Sequence, residues 1–196
     1  PIKRYYKFNA FCTSLSNKTT YYFAIFYILL SKTDKGLITT SVTQDLFDGW
    51  NIDSLDELYK VALDNTMKVL PFSVKNMGTF VSVDDFENVD SDMINQLGNL
   101  MHVLTNDTGV NGATCILYGN VLKDFATVHN VEEIAILPSS RHEVILLPQN
   151  GDVDYRHCYN ILNELNKIVV SEIDVLSNNI YIYNAITDKL TMWSEE

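Results

Sequence analysis

Five residues that could carry out chemistry follow one another in one segment, Ser139-Ser140-Arg141-His142-Glu143. A serine hydrolase needs a nucleophile, a base within hydrogen-bond reach of it, and an acid that orients the base. Alternation along a strand would place Ser140 and His142 on one face, and Arg141 and Glu143 on the other. The serine could then approach the histidine, while the carboxylate would point away from both. No Gly-x-Ser-x-Gly elbow surrounds either serine.

The same segment also fits a structural turn. Apolar strands are predicted on both sides of it, at 134–137 and 142–147. In this interpretation the serine hydroxyls cap backbone amides, and Arg141 pairs with Glu143. The sequence therefore makes residues 139–143 the candidate site and leaves hydrolysis and structural support as alternatives.

A second group of reactive side chains is acidic. Five carboxylates lie within nine residues, at Asp84, Asp85, Glu87, Asp90 and Asp92. A calcium-binding loop has Asp at alternate positions, a central Gly and a terminal Glu, and this segment lacks both the Gly and the spacing. Two interpretations remain. The segment is either a solvated loop or a partner-binding surface that imitates nucleic-acid phosphates and fills a basic groove on another protein.

The motifs give no support to a metal or cofactor site. The three cysteines form no CxxC pair, and no HxxH, HExxH or HxH spacing occurs among the histidines His102, His129, His142 and His157. The glycines form neither a dinucleotide-binding fingerprint nor a P-loop. We therefore expect no metal and no cofactor. An odd number of cysteines without a pairing motif is typical of a reducing compartment, which predicts a cytoplasmic location.

The net charge of −11 is unevenly distributed over the 196 residues. Residues 1–35 contain six basic residues and one acidic residue, a net +5, so the remainder carries −16. An acidic surface repels nucleic acid and attracts basic proteins. We therefore expect a protein partner, such as a basic protein that handles nucleic acids, and no direct nucleic-acid binding. The apolar run Tyr21–Leu30 is too short for a membrane span, which needs about 20 residues, so we expect no membrane association.

The predicted elements mix strands and helices and include several hairpins. Strands are predicted at 21–31, 36–42, 101–105, 113–118, 134–137, 142–147, 180–183 and 189–193, with a further short strand at 79–83. Helices are predicted at 43–50, 54–70, 89–100, 119–130 and 152–170, followed by a helical turn at 171–177. This order favours an α+β fold with a mainly antiparallel sheet built from hairpins and covered by about four to five helices.

Two details of this organisation can be tested. A capping box, Ser54 to Glu57, begins the second helix, and its apolar stripe is predicted to be Leu55, Leu58, Ala62 and Val69. The chain is expected to be one domain, 1–196, with sub-lobes 1–75 and 93–196 joined by the irregular acidic segment 76–92.

Several segments resemble a bacterial family of unknown function that is common in anaerobic Gram-positive gut bacteria and their mobile elements. These segments include YYFAIFYILL, GATCILYGNVLKDFA and ILPSSRHEVILLP, and the resemblance covers nearly all of the chain from Lys3. It implies a shared fold and a shared Ser-Ser-x-His-Glu turn, and no activity. Family members have a further N-terminal region, so this chain resembles their C-terminal portion.

The sequence thus favours a non-enzymatic protein-interaction module of a mobile element or phage. A specific version is an acidic inhibitor of a host defence nuclease such as a CRISPR effector. One alternative is a hydrolase that uses the turn 139–143. Another is a structural or regulatory domain that acts with an N-terminal region preceding Pro1.

Overall fold

The structure is a computed structural model that describes residues 5–12, 23–33, 36–50, 52–79, 100–149, 154–168 and 170–193. The chain forms two compact units, Pro1–Pro71 and Phe72–Glu196. The predicted joining segment was 76–92, whereas the units divide between Pro71 and Phe72. The acidic residues Asp84, Asp85, Glu87, Asp90 and Asp92 lie outside the described residues, and so do nearly all of the strand predicted at 79–83 and the helix predicted at 89–100.

The first unit contains a three-stranded antiparallel sheet and two helices. Its elements are β1 (Tyr5–Cys12), β2 (Phe23–Thr33), β3 (Gly36–Ser41), α1 (Gln44–Asp48) and α2 (Leu55–Val69). β2 is the central strand, pairing Tyr5–Cys12 on one side and Gly36–Ser41 on the other. The aromatic and β-branched run in β2 favours an extended backbone, and the predicted pair of strands at 21–31 and 36–42 is confirmed.

Helix α2 begins as its sequence predicts. The Ser54 hydroxyl accepts a hydrogen bond from the Glu57 N–H at 3.2 Å, and the Glu57 carboxylate accepts one from the Asp53 N–H at 3.0 Å. Two N–H groups near the helix start, which have no partner within the helix, are therefore satisfied.

The predicted apolar stripe of α2 is partly wrong. Leu58 and Ala62 are buried, but Leu55 is 60% exposed and Val69 is 37% exposed. Both exposed residues lie in the terminal turns of the helix. The third buried position is Thr66, whose hydroxyl donates to the Ala62 carbonyl oxygen at 2.7 Å and so loses no hydrogen bond on burial.

The second unit is built on a six-stranded sheet. Its strands are β4 (Phe72–Asn76), β5 (His102–Asn106), β6 (Glu133–Ser140), β7 (Glu143–Pro148), β8 (Tyr181–Asn184) and β9 (Lys189–Met192). Their order across the sheet is β4-β5-β7-β6-β8-β9, and every described pair is antiparallel. The helices that the structure describes in this unit are α3 (Val121–His129), α4 (Tyr155–Ile168) and two short 3-10 helices, Met77–Thr79 and Gly112–Leu117. The predicted α+β class with a mainly antiparallel sheet is confirmed.

Both faces of this sheet are covered. On one face, Cys158 and Leu162 of α4 pack in a core cluster with the strand residues Ala135, Leu137, Ile145 and Leu147. The alternate strand residues are buried on the other face, where the ring of Phe125 in α3 lies 5.2 Å from that of His102. β6 and β7 are therefore apolar at nearly every position, as expected for strands enclosed on both sides.

The strand predicted at 113–118 is wrong, because these residues form the 3-10 helix Gly112–Leu117. Asn111 adopts a left-handed backbone with φ of 53°, and its carbonyl oxygen accepts a hydrogen bond from the Thr114 hydroxyl at 2.7 Å. This local turn ends the extended conformation of the chain, so residues 113–118 do not pair with β5 as a second strand. β5 pairs with β4 and β7 instead. The strand Phe72–Asn76 was not predicted.

Two cysteines of the second unit are enclosed by this packing. Cys115 in the 3-10 helix and Cys158 in α4 are buried free thiols. Burial raises the pKa of Cys115 to about 12, although a hydrogen bond with Tyr118 acts in the opposite direction. Burial also raises the pKa of Cys158. Both thiols are therefore expected to be unreactive in the folded protein, because the thiolate is the nucleophile.

Alkaline pH should destabilise the second unit. The unfolded Cys115 thiol ionises near its ordinary pKa of 9.0, whereas the folded one keeps its proton until about pH 12. Between these values the unfolded chain binds fewer protons, so the free energy of unfolding should fall by about 1.4 kcal/mol per pH unit for one such group. Urea unfolding at increasing pH measures this slope. A Cys115→Ala variant should show a shallower slope, and an unchanged slope would contradict this origin.

No helix in the part of the chain that the structure describes is long and apolar enough to cross a membrane.

Candidate functional site at the turn between β6 and β7

A bulge shapes the end of β6. Leu137 pairs with Ile145, and the next pair is Ser140 with Glu143, so β6 contains one residue more than β7 in this interval. Pro138 lies in the bulge, a position that tolerates proline because the ladder hydrogen bonds are interrupted there. The turn consists of Arg141 and His142 only, so Ser139 and Ser140 belong to β6, and β7 begins at Glu143 rather than His142.

The segment 174–177 runs alongside this end of β6. Asp174 O accepts a hydrogen bond from Arg141 N–H at 2.8 Å. The N–H groups of Leu176 and Ser177 donate to the carbonyl oxygens of Ser139 and Pro138, at 3.3 and 3.1 Å. Ser140 forms an isolated bridge with Val175. Since β8 pairs with only the first half of β6, this segment takes over as the neighbour of the second half and fixes the position of the turn.

The imidazole of His142 is held between two other segments. Its Nδ1 accepts a hydrogen bond from the Asn111 N–H at 3.1 Å. Its Nε2 lies 3.3 Å from Asp174 Oδ1 and accepts a hydrogen bond from Arg141 Nε at 3.4 Å. Both ring nitrogens of His142 are therefore engaged by groups other than a serine.

Asp174 is the charged centre of the turn. Its Oδ1 lies 2.6 Å from Arg141 Nε, and the two side chains are 23% and 29% exposed. The Oδ1 atom itself is buried and accepts no hydrogen bond of good geometry, so its contact with Arg141 acts as charge pairing. One half-buried carboxylate thus pairs with the arginine of the turn and lies beside its histidine.

The remaining polar groups of the turn also bind backbone. The Ser140 hydroxyl accepts a hydrogen bond from the His142 backbone N–H at 3.1 Å. The Thr105 hydroxyl of β5 donates to the His142 carbonyl oxygen at 2.8 Å, and Ala113 N–H donates to the Arg141 carbonyl oxygen at 3.2 Å. Ser139 and Ser140 are both buried, and Glu143 is half-buried opposite Ser140. These contacts favour the structural interpretation of the turn, and catalysis there stays a prediction.

The turn therefore connects three parts of the second unit: β5, the loop that leads into the 3-10 helix, and the segment 174–177. The predicted residues Ser140, Arg141 and His142 do come together. Their main partners, Asp174 and Asn111, were not predicted, because Asp174 follows a separate helix and Asn111 contributes only its backbone. The sequence feature that could have indicated Asp174 is that it is an acidic residue in the turn after α4.

Two further histidines lie close together on the α3 side of the sheet. The rings of His102 and His129 are 4.5 Å apart, and both contact the ring of Phe125. His102 Nδ1 is 3.1 Å from the Leu100 carbonyl oxygen. Burial, followed by the charge of His129, lowers the pKa of His102. In the described ranges, no three His, Cys, Asp or Glu side chains are arranged to hold a metal ion.

The second unit is thus an antiparallel α+β fold in which the turn between β6 and β7 is held by backbone and charge contacts. The chain belongs to a family of unknown function, DUF5688, which it matches over residues 21–185. The predicted membership of an uncharacterised family is thereby confirmed, and the match includes the turn 139–143. No curated protein and no solved structure matches the chain.

Proposed function

We propose that this chain is a non-enzymatic protein-interaction domain whose second unit binds a basic protein. The observation that carries this proposal is the segregation of charge between the two compact units. Residues 1–71 contain eight basic and seven acidic residues, a net +1, whereas residues 72–196 contain six basic and eighteen acidic residues, a net −12. A field of one sign steers an oppositely charged partner toward the unit and repels phosphate backbones.

The contacts of the turn support this proposal over a hydrolase. A serine nucleophile needs a free base beside it, and His142 uses both ring nitrogens for Asn111 and Arg141. The Ser140 hydroxyl in turn binds backbone. The side chains of the turn therefore stabilise the second unit. A binding surface needs rigid support of this kind.

The specific version of the proposal is an inhibitor carried by a mobile element or phage, which acts in the cytoplasm on a host defence nuclease such as a CRISPR effector. A nuclease presents a basic groove to nucleic acid, and the acidic segment 84–92 has the charge needed to occupy it. A structural or regulatory domain acting with an N-terminal region would also bind protein, so the identity of the partner separates the two versions.

Affinity for purified candidate nucleases, measured by calorimetry at several salt concentrations, tests the proposal. The test variant carries amides in place of the five acids at 84–92. The matched control carries amides at five exposed acids elsewhere in the same unit, Asp107, Asp124, Glu132, Asp154 and Glu172. Both variants have the same net charge, so any difference between them reports on position.

We expect the test variant to bind at least about tenfold more weakly, with a shallower salt dependence, because ion pairs at an interface are lost. The control should lose much less. Equal losses would remove the phosphate-mimic version while leaving the interaction domain. Absence of binding to every basic partner tested would remove the proposal itself.

A further inference from the structure

Three aromatic side chains form a half-exposed cluster where α4 crosses the β8–β9 end of the sheet. The ring of Trp193 lies 6.2 Å from that of Tyr155 and 6.1 Å from that of Tyr159. All three pack against the core cluster beneath α4, yet each remains partly open to solvent. We call Tyr155, Tyr159 and Trp193 the aromatic surface.

The backbone explains why these rings meet. Tyr155 and Tyr159 are four residues apart on α4 and therefore lie on one side of the helix. Trp193 follows β9, and its N–H donates to the Ile180 carbonyl oxygen at 2.9 Å, which makes the two residues cross-strand neighbours. Ile180 belongs to the core cluster under α4. Trp193 is thus directed to the α4 side of the sheet.

A carboxylate lies on the same side of the sheet. Glu133 begins β6, and by alternation it shares a face with Ala135 and Leu137, which pack against α4. Its Oε1 accepts a hydrogen bond from the side-chain amide of Asn184 at 3.2 Å. Tyr155 packs against the same core cluster as Ala135 and Leu137, and after burial the charge of Glu133 is the next cause that raises the pKa of Tyr155.

Within the part of the chain that the structure describes, the carboxylate of Glu133 forms no ion pair. The ion pairs within the described ranges join Lys68 to Asp64, and Arg141 and His142 to Asp174. Glu133 is half-buried, so its negative charge is less screened by water than that of a fully exposed acid. Aromatic faces next to an unpaired carboxylate are the two features that recognise a cationic side chain.

We propose that the aromatic surface together with Glu133 binds an arginine or lysine side chain of the basic partner. This inference rests on the proposed function and names one contact surface of the second unit in addition to the acidic segment 84–92. The cation lies against the rings while Glu133 pairs with it. Arginine is the better occupant, because its planar guanidinium both stacks on rings and pairs with a carboxylate.

The occupant is not a second copy of the chain, since two units of net −12 repel each other. Trp193 lies outside the matched residues 21–185, so the proposal concerns this chain and not the family.

A fluorescently labelled hexa-arginine peptide is the probe, with hexa-lysine and hexa-glutamate as comparisons, and anisotropy gives the affinity. Two variants of the full chain test the site. Glu133→Gln removes the charge and keeps an acceptor for Asn184, and Trp193→Leu removes the ring. Asp124→Asn is the matched control, since it removes one exposed carboxylate on α3, at the opposite face of the sheet. Trp193→Phe keeps a ring and covers the case in which the leucine variant unfolds.

We expect Glu133→Gln and Trp193→Leu each to weaken hexa-arginine binding about fivefold or more, because each variant removes one of the two features, the ring or the charge, that hold the cation. Trp193→Phe should keep most of the affinity, Asp124→Asn should change it less than twofold, and hexa-lysine should bind more weakly than hexa-arginine.

Equal losses for Glu133→Gln and Asp124→Asn would mean that the peptide is attracted by the net charge of the unit and not by this site, and would overturn the inference. A nuclease that binds the wild type and both site variants equally would overturn the inference alone and leave the proposed function standing. If the wild type binds neither the hexa-arginine peptide nor any nuclease, this inference and the proposed function are both overturned.

Discussion

Replacing Gly112 by alanine should destabilise the second unit by about 3 kcal/mol or more, because the added methyl group has no room. A Cβ at this position would lie 2.1 Å from the Thr105 hydroxyl oxygen, 2.4 Å from the His142 carbonyl oxygen and 2.7 Å from the Asn106 nitrogen. Two of these three atoms are backbone and cannot rotate away. The hydrogen bond from Thr105 to His142, at 2.8 Å, would have to break. Urea unfolding followed by circular dichroism gives the free energy.

Gly49→Ala is the matched control, since it makes the same chemical change without the clash. Gly49 has φ of −82°, and its added Cβ would meet only carbonyl oxygens at 3.6 Å, an ordinary contact distance. We expect it to change the free energy of unfolding by less than about 1 kcal/mol, in either direction. Similar small effects for the two variants would show that the 3-10 helix does not pack against the turn between β6 and β7 as described.

Gly112 also shows where prediction from the sequence succeeds and where it fails. The Asn, Asp and Gly residues at 106–112 favour a turn, because these residue types act locally. Asn106 bears this out, since its side chain accepts from the Thr108 N–H at 2.9 Å and donates to the Val110 carbonyl oxygen at 2.9 Å. The conformation after the turn depends on a close approach to β5 and His142, which no local pattern reports. The apolar run at 113–118 therefore suggested a strand where a 3-10 helix forms.

The candidate site follows the same division. The segment 139–143 could be selected because its polar residues interrupt two apolar strands. Its actual contacts are made with Thr105, Asn111 and Asp174, which lie in three other parts of the chain. Residue types alone favoured Glu143 as the partner of Arg141, because it was the nearest carboxylate in sequence. Sheet pairing instead brings Asp174 to the turn, and this arrangement depends on the whole order of strands.

Replacing Asp174 by asparagine should lower the free energy of unfolding by about 1–2 kcal/mol. The change keeps the shape of the side chain but removes the charge that pairs with Arg141 and faces His142. Removing one member of a fully buried pair costs about 3–5 kcal/mol, and an exposed pair is worth at most about 1 kcal/mol. Since the side chains of Arg141 and Asp174 are 29% and 23% exposed, an intermediate loss is expected. Urea unfolding of the single variants and of the Arg141→Gln, Asp174→Asn double variant gives the coupling energy.

Asp64 and Lys68 provide the matched control on helix α2. They form an ion pair of the same chemical kind, but their side chains are 63% and 66% exposed. Asp64→Asn should therefore cost no more than about 0.5 kcal/mol, the value typical of helix pairs four residues apart. A coupling energy near zero for Arg141 and Asp174 would mean that backbone hydrogen bonds alone hold the turn.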